Sequence, residues 1–122
     1  MSDFFRDLLV GEAQQSPYVW AAVMWAHAMI GVCLAAVFGP LAVRYDRSFL
    51  TGFLIALGSY AGWEVLQISR GGPVLDGILD LSAVALGALI AMCLWERRAG
   101  SILRAIFAVI LICLAGIKRR VL

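Results

Sequence analysis

Six side chains give this sequence its chemistry: His27, Glu64, Gln67, Arg70, Asp76 and Asp80. Five of them fall within residues 64–80, where they interrupt otherwise near-continuous apolar sequence. Carboxylates and an imidazole can exchange protons, accept hydrogen bonds from a ligand or ligate a metal. A charge at membrane depth is costly, so a run of such groups between apolar segments marks a functional site. A carboxylate in that setting needs a cationic partner or a proton, because desolvation disfavours its charged form. His27 and Arg70 are the cations within reach. Metal binding is not expected, because no HExxH-type spacing is present. No cofactor motif is apparent, and no catalytic residue is assigned.

The spacing puts these groups on facing stripes. Tyr60, Glu64 and Gln67 stand at i, i+4 and i+7, on one side of a helix. Asp76 and Asp80 stand at i and i+4 of the next, with Ser82, Ala83 and Gly87 continuing nearby. Ser69-Arg70-Gly71-Gly72-Pro73 reads as the turn between them, with Pro73 starting the second helix. Counted from the loop at residues 44–47 and its counterpart at 96–100, His27, Glu64 and Asp80 each lie 16 or 17 residues along their helices. At 1.5 Å per residue that is a common depth of about 24–26 Å.

The elements that must hold this cluster follow from the apolar runs. Hydrophobic residues make up 63% of the 122 and charged residues 15%, with a mean hydropathy of +0.94. A soluble chain of this length could not bury such an excess. The expected fold is all-α: a polytopic transmembrane helical bundle of about four membrane-spanning helices, at roughly 18–43, 49–68, 74–95 and 101–117. Residues 17–122 form its single domain. Residues 1–16 are a polar segment whose Phe4, Phe5, Leu8 and Leu9 suit a short interfacial helix. That segment lacks the basic start of a signal peptide.

Pro17 fits a first helical turn, and Ser48 fits a cap. Gly39-Pro40 is expected to bend or break the last turn of the first span. Gly52, Gly58, Gly62 and Gly87 are expected to let helices approach closely. Cys33, Cys93 and Cys113 form no CxxC pair and read as small buried apolar residues. Arg104 reads as a snorkelling interface residue.

A net charge of +2 gives no footing for nucleic acid. With four spans, five basic residues fall on each side, so the positive-inside rule gives no orientation. The partners expected are membrane lipid, further copies of the chain or a larger membrane complex.

The pattern of His27, Glu64-Val65-Leu66-Gln67, Arg70, Asp76, Asp80 and Gly87 resembles the VanZ-like family of small integral membrane proteins. The resemblance covers roughly residues 20–95. It departs where that family often has Asp-Lys before the His, here Val23-Met24, and Asn after the second Asp, here Val84. The resemblance implies a cell-envelope protein, bacterial or phage-encoded and in the inner membrane, whose characteristic site comprises Glu64, Gln67, Arg70, Asp76 and Asp80. Such a site could bind a lipid head group, a cell-wall precursor or a partner. Two other readings fit the sequence. A phage-type holin would use the short length and basic tail but needs no acid cluster. An accessory subunit of a larger complex would use the acids to hold helices together.

Overall fold

The structure is a computed structural model and describes residues 16–121. The proposed interfacial segment at residues 1–16 therefore lies almost wholly outside the described residues. Four helices follow one another: α1 Pro17–Arg44, α2 Phe49–Ser69, α3 Val74–Trp95 and α4 Ala99–Val121. Each is long and apolar enough to cross a membrane. At 1.5 Å per residue even the shortest, the 21-residue α2, reaches about 31 Å, against a hydrocarbon core of about 30 Å. The chain is an integral membrane protein built as a four-helix bundle.

The helix starts follow the capping chemistry of the sequence. Ser16 Oγ accepts the Val19 N–H at 3.5 Å, and Pro17 opens α1. Ser48 Oγ accepts the Thr51 N–H at 3.4 Å at the start of α2. Pro73, with φ −65°, directly precedes α3.

The first three helices end in the same device. Beyond each, the second and third residues turn their N–H groups back to the last turn. After α1, Asp46 and Arg47 bond the carbonyls of Val43 and Ala42 at 3.1 and 2.9 Å. Gly71 and Gly72 do so to Ile68 and Gln67 after α2, both at 3.0 Å, and Arg97 and Arg98 to Leu94 and Cys93 after α3. This is the Schellman arrangement, which needs one residue in the left-handed region. Gly71, at φ +94°, takes it freely; Asp46 at 60° and Arg97 at 59° do so against their Cβ atoms.

Gly39-Pro40 does not end α1. The helix runs on through Pro40 to Arg44, and the Phe49 ring packs where a Gly39 side chain would be. The last helix is also longer than its uninterrupted apolar run. It starts at Ala99 and carries Lys118, Arg119 and Arg120 as helical residues in its last turn. Arg104 is exposed, and its Nε donates to the Gly100 carbonyl at 3.3 Å.

α1 and α3 form the central pair, with α2 and α4 on its flanks. Gly31 of α1 meets the Val84 carbonyl, and Gly87 of α3 meets the Ala28 carbonyl, so neither position has room for a Cβ. Gly52 of α2 lies equally close to the backbone of Phe38 and Gly39. Gly58 and Gly62, by contrast, open outwards with nothing within 4 Å of a built Cβ.

Trp20, Met24, Ala83, Val109 and Cys113 pack α1, α3 and α4 together. Ala35, Phe49, Ala88 and Met92 do the same for α1, α2 and α3. The outer surface carries Leu54, Val65, Ile78, Leu103, Phe107 and Leu114, all exposed, as lipid contact requires. Cys93 and Cys113 are buried, whereas Cys33 is exposed.

Candidate functional site

Inside the bundle, three ionisable side chains are buried: His27 at 0% exposure, Asp80 at 2% and Glu64 at 6%. Each comes from a different helix. α1 supplies His27, whose neighbours Val23, Met24, Ala28 and Gly31 are also buried, so the ring points to the centre. α3 supplies Asp80 on the stripe of Gly77, Ala83, Val84 and Gly87. α2 supplies Glu64 on the stripe of Gly52, Ala56 and Tyr60. In each case small residues beside the polar one let the backbones close around it.

His27 and Asp80 are a direct pair, with Nε2 3.6 Å from Oδ2. The other ring nitrogen decides the chemistry. Nδ1 lies 2.8 Å from the Val23 carbonyl oxygen, which only accepts, so Nδ1 carries a hydrogen and donates it. Nε2 then faces the carboxyl either as a lone pair or as a second N–H. The two groups face each other at ion-pair range rather than hydrogen-bond range.

Tyr60 closes the pair from the α2 side. Its ring meets the His27 ring edge to face, with centroids 6.1 Å apart and planes at 84°. Its hydroxyl is the side-chain hydrogen-bonding neighbour of Glu64 and lies within electrostatic reach of Asp80. Glu64 in turn feels the charge of Asp76. One Glu64 oxygen, Oε2, lies against Gly77, where a built Cβ would stand 3.1 Å away. The other, Oε1, is buried with no hydrogen-bond partner among the described residues. The same is true of the Trp63 indole N–H. Buried polar atoms are normally satisfied, so two on adjacent residues of one helix need an explanation.

A groove of about 310 Å³ runs along the outside of α1 and α2 to these groups. Its walls are Ile30, Leu34, Ser59, Tyr60 and Trp63. Tyr60 and Trp63 therefore belong both to the buried polar cluster and to the groove wall.

The remaining residues singled out from the sequence sit at the margin. Asp76 is half-buried in the first turn of α3, and Gln67 is half-buried in the last turn of α2. Arg70 is exposed and forms no ion pair with another described residue. It caps α2 through its backbone, which leaves its side chain in the outward-facing turn. A cation reaches the acids from elsewhere. Arg120, in the last turn of α4, feels the charge of Asp76 and lies 4.3 Å above the Trp20 ring. Sequence spacing gave no signal for Arg120, because α4 has to return across the membrane to deliver it. Tyr60 was visible on the Glu64 stripe, but its contact with His27 was not.

Among the described residues, no group of three or more His, Cys, Asp or Glu side chains has a metal-holding arrangement. No family model, curated protein or solved structure matches this chain.

Proposed function

We propose that this integral membrane protein is a VanZ-like protein of the cell envelope. In this reading, its intramembrane polar site binds the head group of a membrane amphiphile bearing hydroxyl or amine groups. The observation that carries the reading is the buried Trp63 Nε1, which has no partner among the described residues and lies one residue from Glu64 of the Tyr60–Glu64 pair. Tyr60 and Trp63 both line an apolar groove on the outside of the bundle.

A ligand carried in from lipid would lay its hydrocarbon along Ile30 and Leu34. Its donors would meet Tyr60 and Glu64, and an oxygen would accept from Trp63. The carboxyl groups of Glu64, Asp76 and Asp80 outnumber the nearby cations, which favours donors over phosphate at this point. Ethanolamine, sugar and glycerol head groups all supply such donors.

The test uses purified full-length chain and an equimolar mixture of phosphatidylethanolamine and phosphatidylcholine. The first has N–H donors on its head group, and the second has none. Native mass spectrometry should show preferential retention of the ethanolamine lipid. Glu64→Gln and Trp63→Phe should each reduce it, with helix content unchanged by circular dichroism. Equal retention of the two lipids by the wild-type chain would sink the proposal.

A second reading has one observation in its favour. Gly58 and Gly62 face outwards beside a shallow groove lined by Leu57, Ala61, Leu81, Ser82 and Ala85. Small residues at that spacing suit a helix from another subunit, so the protein would act within an oligomer or a larger complex. Cross-linking in native membranes separates this from the first reading. A contact at Gly58 that is lost in Gly58→Leu and Gly62→Leu supports a subunit role.

A further inference from the structure

A second groove, of about 340 Å³, lies on the opposite flank of α1, where α1, α3 and α4 meet. Its walls are Trp20, Leu75, Leu79, Leu111 and Ile112, and Arg119 stands on its lining as the sole charged side chain. The geometry points to a binding site for one anionic phospholipid, with an acyl chain along the apolar wall and the phosphate at Arg119. This inference concerns a different face and a different polarity from the acid-lined groove on α2, and does not depend on it.

Three features argue for that occupant. First, the groove runs with the bilayer normal and has a polar end. Leu111 to Arg119 covers eight residues, or about 12 Å of helix, close to the roughly 15 Å of hydrocarbon in one leaflet. An acyl chain of one leaflet fits it with the head group at the end of α4.

Second, among the described residues no acidic side chain pairs with the exposed cations at that end. Lys118 and Arg119 are exposed and make no ion pair with another described residue. Arg119 also adds its charge to that of Arg120. Asp76 acts on Arg120, which leaves the positive charge of the other two to attract an anion.

Third, the floor is preformed. The buried Trp20 ring packs where a Gly116 side chain would stand, and the Arg120 guanidinium covers its face at 4.3 Å. Arg120 is thus used to brace the tryptophan, while Arg119 is left facing the groove. The Arg120 Nη1 also donates to the Gly116 carbonyl at 3.5 Å, which ties this brace to α4 itself.

An ordinary shell of bulk lipid would show no head-group preference and no dependence on one arginine. The experiment exploits that difference. Full-length protein is released from detergent in a mass spectrometer after equilibration with equimolar phosphatidylglycerol and phosphatidylcholine.

The expected result is one phosphatidylglycerol retained per chain, with a preference that falls about fivefold in Arg119→Gln. Ala115→Trp fills the groove from an exposed position of α4 and should remove the bound lipid while leaving helix content unchanged. Equal retention of both lipids overturns the proposal, as does an unchanged preference in both variants. Conversion of a dimer to a monomer by Ala115→Trp, with lipid retention untouched, would assign the groove to a second copy and also overturn it.

Discussion

The seam between α1 and α3 makes two kinds of contact within a few turns. At Gly31 and Gly87 the backbones touch, with no side chain between them. At His27 and Asp80 a buried polar pair spans the same seam, 3.6 Å apart. The glycine contacts tolerate nothing larger and bring dispersion and interhelical packing, which drive association in lipid where the hydrophobic effect is absent. The polar pair needs that close approach before its two atoms can meet. One region fixes distance, and the other uses it.

The largest test of this division lies at Gly87. Leucine there must push apart α1 and α3 at the Ala28 carbonyl, so Gly87→Leu should cost more than about 3 kcal/mol and abolish the assembled bundle. Steric-trapping or detergent-unfolding curves would read this. A change under 1 kcal/mol would mean that the seam can shift, and the comparison would fail.

Next comes the pair itself. Asp80→Leu alone should cost about 3 kcal/mol, because it strands the His27 ring nitrogen in a dry site. The double variant His27→Leu with Asp80→Leu should recover most of that loss in the same unfolding assay. If the single and double variants were equally unstable, the pair would not be acting as a unit.

Arg97→Gly lies outside both contacts and calibrates them. It relieves a left-handed residue at the end of α3 and should stabilise the bundle by about 1 kcal/mol. The matching Gly71→Ala should shift the unfolding midpoint the other way.

The smallest effect is expected at Gly58 and Gly62. Leucine at either should change the stability of the isolated chain by no more than about 0.5 kcal/mol, since both face open space. A change in oligomer size on gel filtration, without a change in stability, would show that these two glycines serve contacts between chains.

Much of the architecture was legible beforehand. Four apolar runs broken by Arg44-Tyr45-Asp46-Arg47, Ser69-Arg70-Gly71-Gly72-Pro73 and Glu96-Arg97-Arg98 gave the four helices, because each run is long enough to cross a bilayer. Pro17 and Ser48 gave two helix starts for the same local reason. Local rules allowed a break at Pro40, but the helix continues through it to Arg44, with Phe49 of another helix packed against Gly39. They also could not separate Gly52 and Gly87, which meet neighbouring backbone, from Gly58 and Gly62, which do not.

For the polar cluster, the sequence by itself gave an expected common depth for His27, Glu64 and Asp80. That follows from helix rise and loop position alone. Which of them touch was decided by tertiary structure. Rotation about each helix axis is set by how the small residues of α1, α2 and α3 interlock, and no count along one chain segment contains it. The same interlocking put Tyr60 beside His27, and the return of α4 put Arg120 beside Asp76 while Arg70 stayed outside.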